Sequence, residues 1–199
     1  MPGSIYAKTS LGCGRERKCV RLLELSSIET DDLEGLLKVV SLECCPSFFA
    51  LSYVWGHFSA PAHRIRCRAA DSTLYEYIPI TDNCRDALVQ IRHSYGRGWY
   101  PSSKTRIWVD AICINQRDDE EKAYQIPLME DIYGSANQVL IWLGKDSESS
   151  DIAMHYISKA SLGQSSPLLG ARWKSFPRSM YPSEVWRLMR HTPDILRRG

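Results

Sequence analysis

The stretch RIWVDAICINQ, residues 106–116, constrains the fold more than any other part of the sequence. Apart from Asp110 its interior is apolar and lacks polar alternation, which is typical of a strand covered on both faces by helices. A carboxylate inside such a strand is unfavourable unless it is paired or hydrogen-bonded. We therefore expect Asp110 either to have a structural partner or to lie at an open edge of the sheet, where it would orient a ligand or act as a base.

Apolar and amphipathic segments alternate along the chain, and this alternation predicts strands and helices. The predicted strands are 19–27, 36–43, 48–56, 106–116 and 138–144, with a hairpin at a sheet edge over 64–80. The predicted helices are 80–94, 118–136 with a kink or restart at Pro127, 151–160 and 183–191. We predict an α/β fold with a mostly parallel central sheet flanked by helices and with an N-terminal β-hairpin elaboration.

Length and composition indicate one soluble domain. Residues 1–18 are expected to be a flexible N-terminus, 19–160 the domain, and 161–199 a loop with a short helix. The net charge of +2 argues against nucleic-acid binding. Seven cysteines without CxxC spacing, no apolar run long enough to span a membrane and no secretory signal predict a reduced, cytoplasmic protein without membrane contact.

Three predicted strands end in residues suited to a binding site. The carboxyl ends of parallel strands share one edge of a sheet, and ligands bind in crevices there. Aromatic rings, side-chain amides and glycines at such an edge form a pocket with polar borders. The alternative is that the tryptophans fill the core and the amides cap turns. The candidate ligand-binding residues are Tyr53, Trp55, Gly56, Asn115, Gln116 and Gly144.

Glu121 raises a similar choice near the start of the helix over 118–136. Acidic residues there usually complement the helix dipole. Because this helix begins just past the predicted sheet edge, Glu121 is also a candidate catalytic residue beside Asp110. The histidine and cysteine spacings match no zinc pattern, so we predict no metal site.

Several motifs in a fixed order resemble the HET domain, the heterokaryon incompatibility module of filamentous fungi. They are ALSYVWG at 50–56, IWVDAICINQ at 107–116, Glu121 with Lys122 and Gln125, MEDIYGSANQV at 129–139 and WLG at 142–144. The resemblance covers roughly residues 48–160. It implies an intracellular signalling module of non-self recognition that promotes programmed cell death through protein partners, by self-association or an upstream receptor.

HET domains are also considered distantly similar to TIR domains, which have a flavodoxin-like fold. Some TIR domains cleave NAD at the nicotinamide bond with a glutamate. This similarity implies NAD as a substrate to test, and it adds Glu148 as a third catalytic candidate, in the region that corresponds to the TIR glutamate. The resemblance therefore leaves two mechanisms open, an interaction module and an NAD-cleaving enzyme.

Two departures from the family pattern affect these expectations. Pro127 stands where relatives usually have an ordinary apolar residue, so the helix is expected to be interrupted. Relatives commonly continue after a segment like WRLMRHTP with an aromatic-Arg-Val-Trp stretch and a Gln-Glu pair, which this sequence lacks. The resemblance thus implies a truncated domain, and a third alternative is an inactive decoy that binds full-length relatives.

Overall fold

The computed structural model describes residues 4–12, 18–28, 32–58, 62–96, 105–145 and 189–191. Strands predominate from residue 19 to residue 80, and helices and strands follow one another after that. The strands are β1 (Cys19–Leu25), β2 (Leu33–Ser41), β3 (Phe49–Tyr53), β4 (His63–Ala69), β5 (Glu76–Ile80), β6 (Thr105–Trp108), β7 (Gln138–Trp142) and β8 (Met189–His191). The α-helices are α1 (Ile5–Lys8), α2 (Asp82–Gly96), α3 (Asp110–Cys113), α4 (Asp119–Gln125) and α5 (Met129–Ser135), and 3-10 turns span Leu42–Cys44 and Ile126–Leu128.

All eight strands form one sheet in the order β5-β4-β2-β1-β6-β3-β7-β8. The pairs β2–β4, β6–β3 and β3–β7 are parallel, and β1–β2, β1–β6, β4–β5 and β7–β8 are antiparallel. The α/β class is confirmed, but the sheet is mixed and not mostly parallel. Its strand order also differs from the 2-1-3-4-5 order of flavodoxin-like sheets.

The antiparallel direction of β1 explains the mixed sheet. β1 and β2 form the predicted N-terminal hairpin, with Leu23 opposite Leu37. This hairpin is not an elaboration at the margin, because β1 pairs with β6 and β2 pairs with β4 in the middle of the sheet. Part of the predicted flexible N-terminus is also packed, since Ile5 and Thr9 are buried. The fold therefore begins before the first strand.

Helices cover both faces of the sheet. Adjacent residues of a strand point to opposite faces, and Ile107 and Trp108 are both completely buried. On the Ile107 side, the paired Phe49 lies with its ring centroid 4.8 Å from that of Tyr95 in α2. On the other side, Trp108 packs edge-on against Tyr133 of α5 at 5.7 Å between centroids. A two-sided core of this kind explains the continuous apolar runs of the central strands.

The predicted strand over 106–116 is wrong in its second half. The run is buried as expected, but the strand ends at Trp108 and a helical turn, α3, starts at Asp110. Ile114 closes this turn through a hydrogen bond from its backbone N–H to the carbonyl of Asp110, at 3.1 Å. A short apolar run has no periodicity that separates a buried strand from a buried helical turn.

Several other predicted elements agree with the structure. The hairpin over 64–80 lies at the sheet edge as β4 and β5, and α2 covers the predicted helix 80–94. Pro127 interrupts its helix, which continues as a 3-10 turn and restarts as α5.

The predicted helix 183–191 is wrong at its end, since residues 189–191 form β8 and pair with β7. The predicted helix 151–160 lies outside the described residues.

Five of the cysteines, Cys44, Cys45, Cys67, Cys84 and Cys113, are free thiols. Cys19 is disulfide-bonded, which departs from the expectation of fully reduced thiols. Burial raises the pKa of the Cys84 and Cys113 thiols to about 12, so they behave as core residues. In the part of the chain that the structure describes, no helix combines the length and the apolarity that crossing a bilayer requires.

Candidate functional site

The three strand ends that sequence analysis singled out lie side by side. Strands β6, β3 and β7 are adjacent and parallel, with Ala50 opposite Trp108 and Tyr53 opposite Trp142. Their carboxyl ends therefore open onto one edge of the sheet. We call the segments that follow these ends, residues 53–56, 109–116 and 143–145, the rim.

Asp110 joins two parts of the rim. Its Oδ2 accepts a hydrogen bond from the indole Nε1 of Trp55 at 2.6 Å. Its Oδ1 accepts from the backbone N–H of Ala111 at 2.7 Å, at the start of α3. Gln116 returns to the same residue, because its Nε2 donates to the backbone carbonyl of Asp110 at 2.8 Å. The structure thus brings Trp55, Asp110 and Gln116 together across the ends of β3 and β6.

The Asp110 carboxylate lies among neutral groups. Burial raises its pKa, and the hydrogen bonds from Trp55 and Ala111 only partly oppose this effect. The Tyr53 hydroxyl lies near both this carboxylate and the Cys84 thiol without a well-aligned hydrogen bond to either, and burial also raises the pKa of Tyr53. Within the described ranges no cationic side chain forms an ion pair with Asp110. Such a carboxyl group is poised to respond to a cationic or hydrogen-bonding ligand.

Trp55 is a partly exposed neighbour of this carboxylate. Its side chain remains 38% exposed although its indole N–H is bonded to Asp110. The next residue, Gly56, has φ +70°, a conformation that favours glycine. A Cβ at this position would lie 3.1 Å from Nδ2 of Asn83, which itself donates to the carbonyl of Val54 at 3.0 Å. This turn therefore fixes the direction in which β3 leaves the sheet and the place of Trp55.

The remaining ligand-binding candidates contribute less to this cluster. Gly144, at the end of β7, has φ +96° and open space around its Cα. The following Lys145 forms an ion pair with Asp86 of α2 at 3.1 Å. Asn115 accepts from the backbone N–H of Arg117 through its Oδ1 at 3.2 Å and so stabilises a local turn. These contacts shape the rim, and none of them reaches Asp110.

Glu121 has a different environment from the one sequence analysis considered. Its Oε1 and Oε2 accept hydrogen bonds from Nη1 and Nη2 of Arg21 at 2.5 and 2.9 Å, a bidentate ion pair. Oε1 also accepts from the backbone N–H of Asn115 at 2.6 Å. Glu121 is therefore engaged by an arginine and a backbone amide. It is a structural anchor of the rim. Glu148, the third catalytic candidate, lies outside the described residues.

Sequence analysis did not single out Arg21. The signal was present, because an arginine inside the apolar run CVRLLEL needs a partner as much as Asp110 does. The partner of Arg21 lies a hundred residues further along the chain. Of the described side chains, no group of three or more histidine, cysteine, aspartate or glutamate residues is arranged to hold a metal ion.

Comparison with known proteins relates this chain to one family. Residues 48–193 match the family described as "Heterokaryon incompatibility protein (HET)", a range that includes all three parts of the rim. The chain is also similar to "Heterokaryon incompatibility protein 6, OR allele" of Neurospora crassa, with 36% identity over 169 residues. That match covers 81% of this chain and 24% of the relative, so the chain spans about a quarter of the relative's length. No solved structure matches. Because the family match covers well over half of the sequence, the chain belongs to the heterokaryon incompatibility (HET) family.

Proposed function

We propose that this chain is a HET-type signalling module that promotes programmed cell death after contact with a non-self partner. Membership of the HET family and similarity to heterokaryon incompatibility protein 6 support this role. In this proposal the module acts in the cytoplasm and receives its signal by protein association, either with like domains or with an upstream receptor.

The rim is the functional centre in this proposal. The observation that carries it is the 2.6 Å hydrogen bond from Trp55 to Asp110, which couples the ends of two parallel strands at a partly open edge. A partly buried carboxylate held only by neutral donors is unfavourable for stability, so its presence requires another reason. A ligand or partner group that replaces Trp55 on Asp110 would change the position of the segment after β3.

Regulated expression in a filamentous fungus tests this proposal. We expect the unaltered chain to kill cells, scored with a vital dye, and Asp110→Asn and Trp55→Phe to lose most of this activity at equal protein levels. Tyr77→Phe is the matched control, because Tyr77 is exposed on the edge strand β5. Full activity of Asp110→Asn would refute the role of the rim. Suppression of a full-length relative by the unaltered chain would instead support the decoy alternative.

Cleavage of NAD is the second candidate function. The specific observation in its favour is the raised pKa of Asp110, beside aromatic side chains and without a cationic partner among the described residues. A carboxylate in that position would stabilise the positive charge that develops on the ribose as nicotinamide leaves. Water would then add to the ribose carbon, giving ADP-ribose and a proton.

Free nicotinamide in a reaction with the purified chain at high concentration distinguishes the two functions. Enzymatic cleavage predicts release that is abolished by Asp110→Asn or by Glu148→Gln and retained in Tyr77→Phe. Absence of release at every protein concentration, together with cell death in the fungal assay, supports the interaction module. Release that persists in both acidic-residue variants would exclude these carboxylates as the catalytic groups.

A further inference from the structure

We propose that Arg21 is a positioning residue for the rim, and that the segment before residue 48 completes the functional HET domain. This inference rests on the proposed function of the rim. The family match begins at residue 48, whereas Arg21 lies in β1, well before it. The rim is therefore held in place by a part of the chain that the family match does not include.

The Arg21 side chain is almost fully buried, with 1% of its surface exposed, and all of its nitrogen atoms are engaged. Nε donates to the backbone carbonyl and the hydroxyl of Thr9, at 2.8 and 3.0 Å. Nη1 donates to the carbonyl of Cys113 at 3.1 Å and to Glu121, while Nη2 donates to Glu121 and to the carbonyl of Tyr6. One guanidinium group thus joins the N-terminal segment, α3 and α4.

These contacts lead directly to Asp110. Cys113 is the last residue of the helical turn that Asp110 begins, so its carbonyl fixes the end of α3. Glu121, oriented by Arg21, accepts from the N–H of Asn115. The next residue, Gln116, bonds to the carbonyl of Asp110. Arg21 therefore restrains both the turn and the loop that carry the rim carboxylate, without itself touching it.

The N-terminal segment is bound to the same turn by a second contact. The hydroxyl of Tyr6 donates to the carbonyl of Ile112 at 3.1 Å, and Ile5 is buried in the core. The similarity to the Neurospora protein covers 81% of the chain, whereas residues from 48 onward make up roughly three quarters of it, so that similarity extends into the segment before Phe48. The contacts of Tyr6 and Ile5 indicate that a HET domain cut at residue 48 would lack part of its structural support.

Positioning and simple stabilisation can be separated by experiment. Removing one member of a buried ion pair leaves an uncompensated charge, whereas replacing both members by apolar residues of similar volume is often neutral for stability. In Arg21→Met/Glu121→Met the core stays filled and no charge is left unpaired, but the Asn115 amide, the carbonyls of Tyr6, Thr9 and Cys113 and the Thr9 hydroxyl each lose a partner. We expect a free energy of unfolding between those of Arg21→Met and the unaltered chain, and a loop around Asn115 that is no longer restrained.

The test uses the full chain and three measurements: urea unfolding, amide hydrogen exchange at Asn115 and Gln116, and death frequency in the fungal assay. Exchange in the double variant should rise by about tenfold or more, and cell death should be lost although the protein remains folded. Glu34→Met/Arg66→Met is the matched control, because it removes a partly exposed ion pair between β2 and β4 without touching the rim. It should keep slow exchange and full activity.

Unchanged exchange in the double variant would overturn the positioning role, and so would full death activity with a loosened loop. If the double variant does not fold, Arg21→Lys replaces it as the test. A lysine keeps the charge but loses the bidentate geometry, so an exchange rate between those of the unaltered chain and a fully released loop is expected, and an unaltered rate overturns the proposal. Failure of the unaltered chain to kill cells would refute the proposed function, while the exchange data would still decide the role of Arg21.

Discussion

Two carboxylates, those of Asp110 and Glu121, lie eleven residues apart in the HET chain and have opposite surroundings. Glu121 is held by both terminal nitrogens of a buried arginine and by a backbone amide. Asp110 receives hydrogen bonds from an indole and a backbone amide, both neutral, and burial raises its pKa. A paired carboxylate is held in place by its partners and cannot lose one of them without cost, whereas an unpaired one remains available for a ligand.

The largest expected effect comes from removing Arg21, the partner of the Glu121 carboxylate. Arg21→Met should destabilise the chain by about 3–5 kcal/mol, because Glu121 keeps its charge in a mostly buried place and four carbonyl or hydroxyl groups lose a donor. Urea unfolding followed by circular dichroism measures this change. A loss below 1 kcal/mol would mean that the pair behaves like a surface ion pair, and the contrast between the two carboxylates would then disappear.

Trp55→Phe acts on the unpaired carboxylate of Asp110 and should have an intermediate effect on stability. Phenylalanine keeps an aromatic ring but has no N–H, so Oδ2 of Asp110 loses its shortest hydrogen bond. Stability should fall by about 1 kcal/mol. The pKa of Asp110 should rise further, because the lost donor favoured the charged form.

Carbon-13 NMR titration of the Asp110 carboxyl group measures this change in pKa. Tyr77→Phe serves as control and should leave the titration unaltered. A pKa of Asp110 that does not change in Trp55→Phe would show that the indole contact does not hold the carboxylate in solution.

The smallest expected effect is on the pH dependence of stability. The folded pKa of Asp110 is raised above its ordinary value of 3.8, so the folded state binds more protons than the unfolded state between that value and the raised one. Stability must therefore fall as pH rises through this window. Asp110→Asn removes the titrating group. It should be slightly more stable than the unaltered chain at neutral pH, and this advantage should vanish in acid.

Unfolding of both proteins at several pH values checks this difference. A loss of stability in Asp110→Asn at neutral pH that vanishes in acid would mean that the pKa of Asp110 is lowered in the folded state. In that case Asp110 would have a stabilising partner, as Glu121 has.

Much of this architecture was predictable, and the failures have physical causes. The helix with spaced apolar residues at Cys84, Leu88 and Ile91, the hairpin over 64–80 and the interruption at Pro127 depend on local patterns and were predicted. The placement of β1 and β2 in the middle of the sheet was missed, because strand order depends on pairing between distant segments. The three-residue strand β8 was predicted as helix for the same reason, since only its pairing with β7 makes it a strand.

Sequence alone determined which segments are apolar and that polar residues follow the ends of the predicted strands. It also showed that Asp110, a carboxylate inside an apolar run, requires a partner or a functional role. It further predicted that the segments carrying Trp55 and Gln116 meet at one edge of the sheet, although β6 ends at Trp108 and Gln116 reaches Asp110 only after the helical turn α3. Only the tertiary structure decided which of the two carboxylates receives the arginine. That choice depends on an antiparallel strand that brings Arg21 to Glu121 across a hundred residues of chain, and no local pattern encodes so distant a contact.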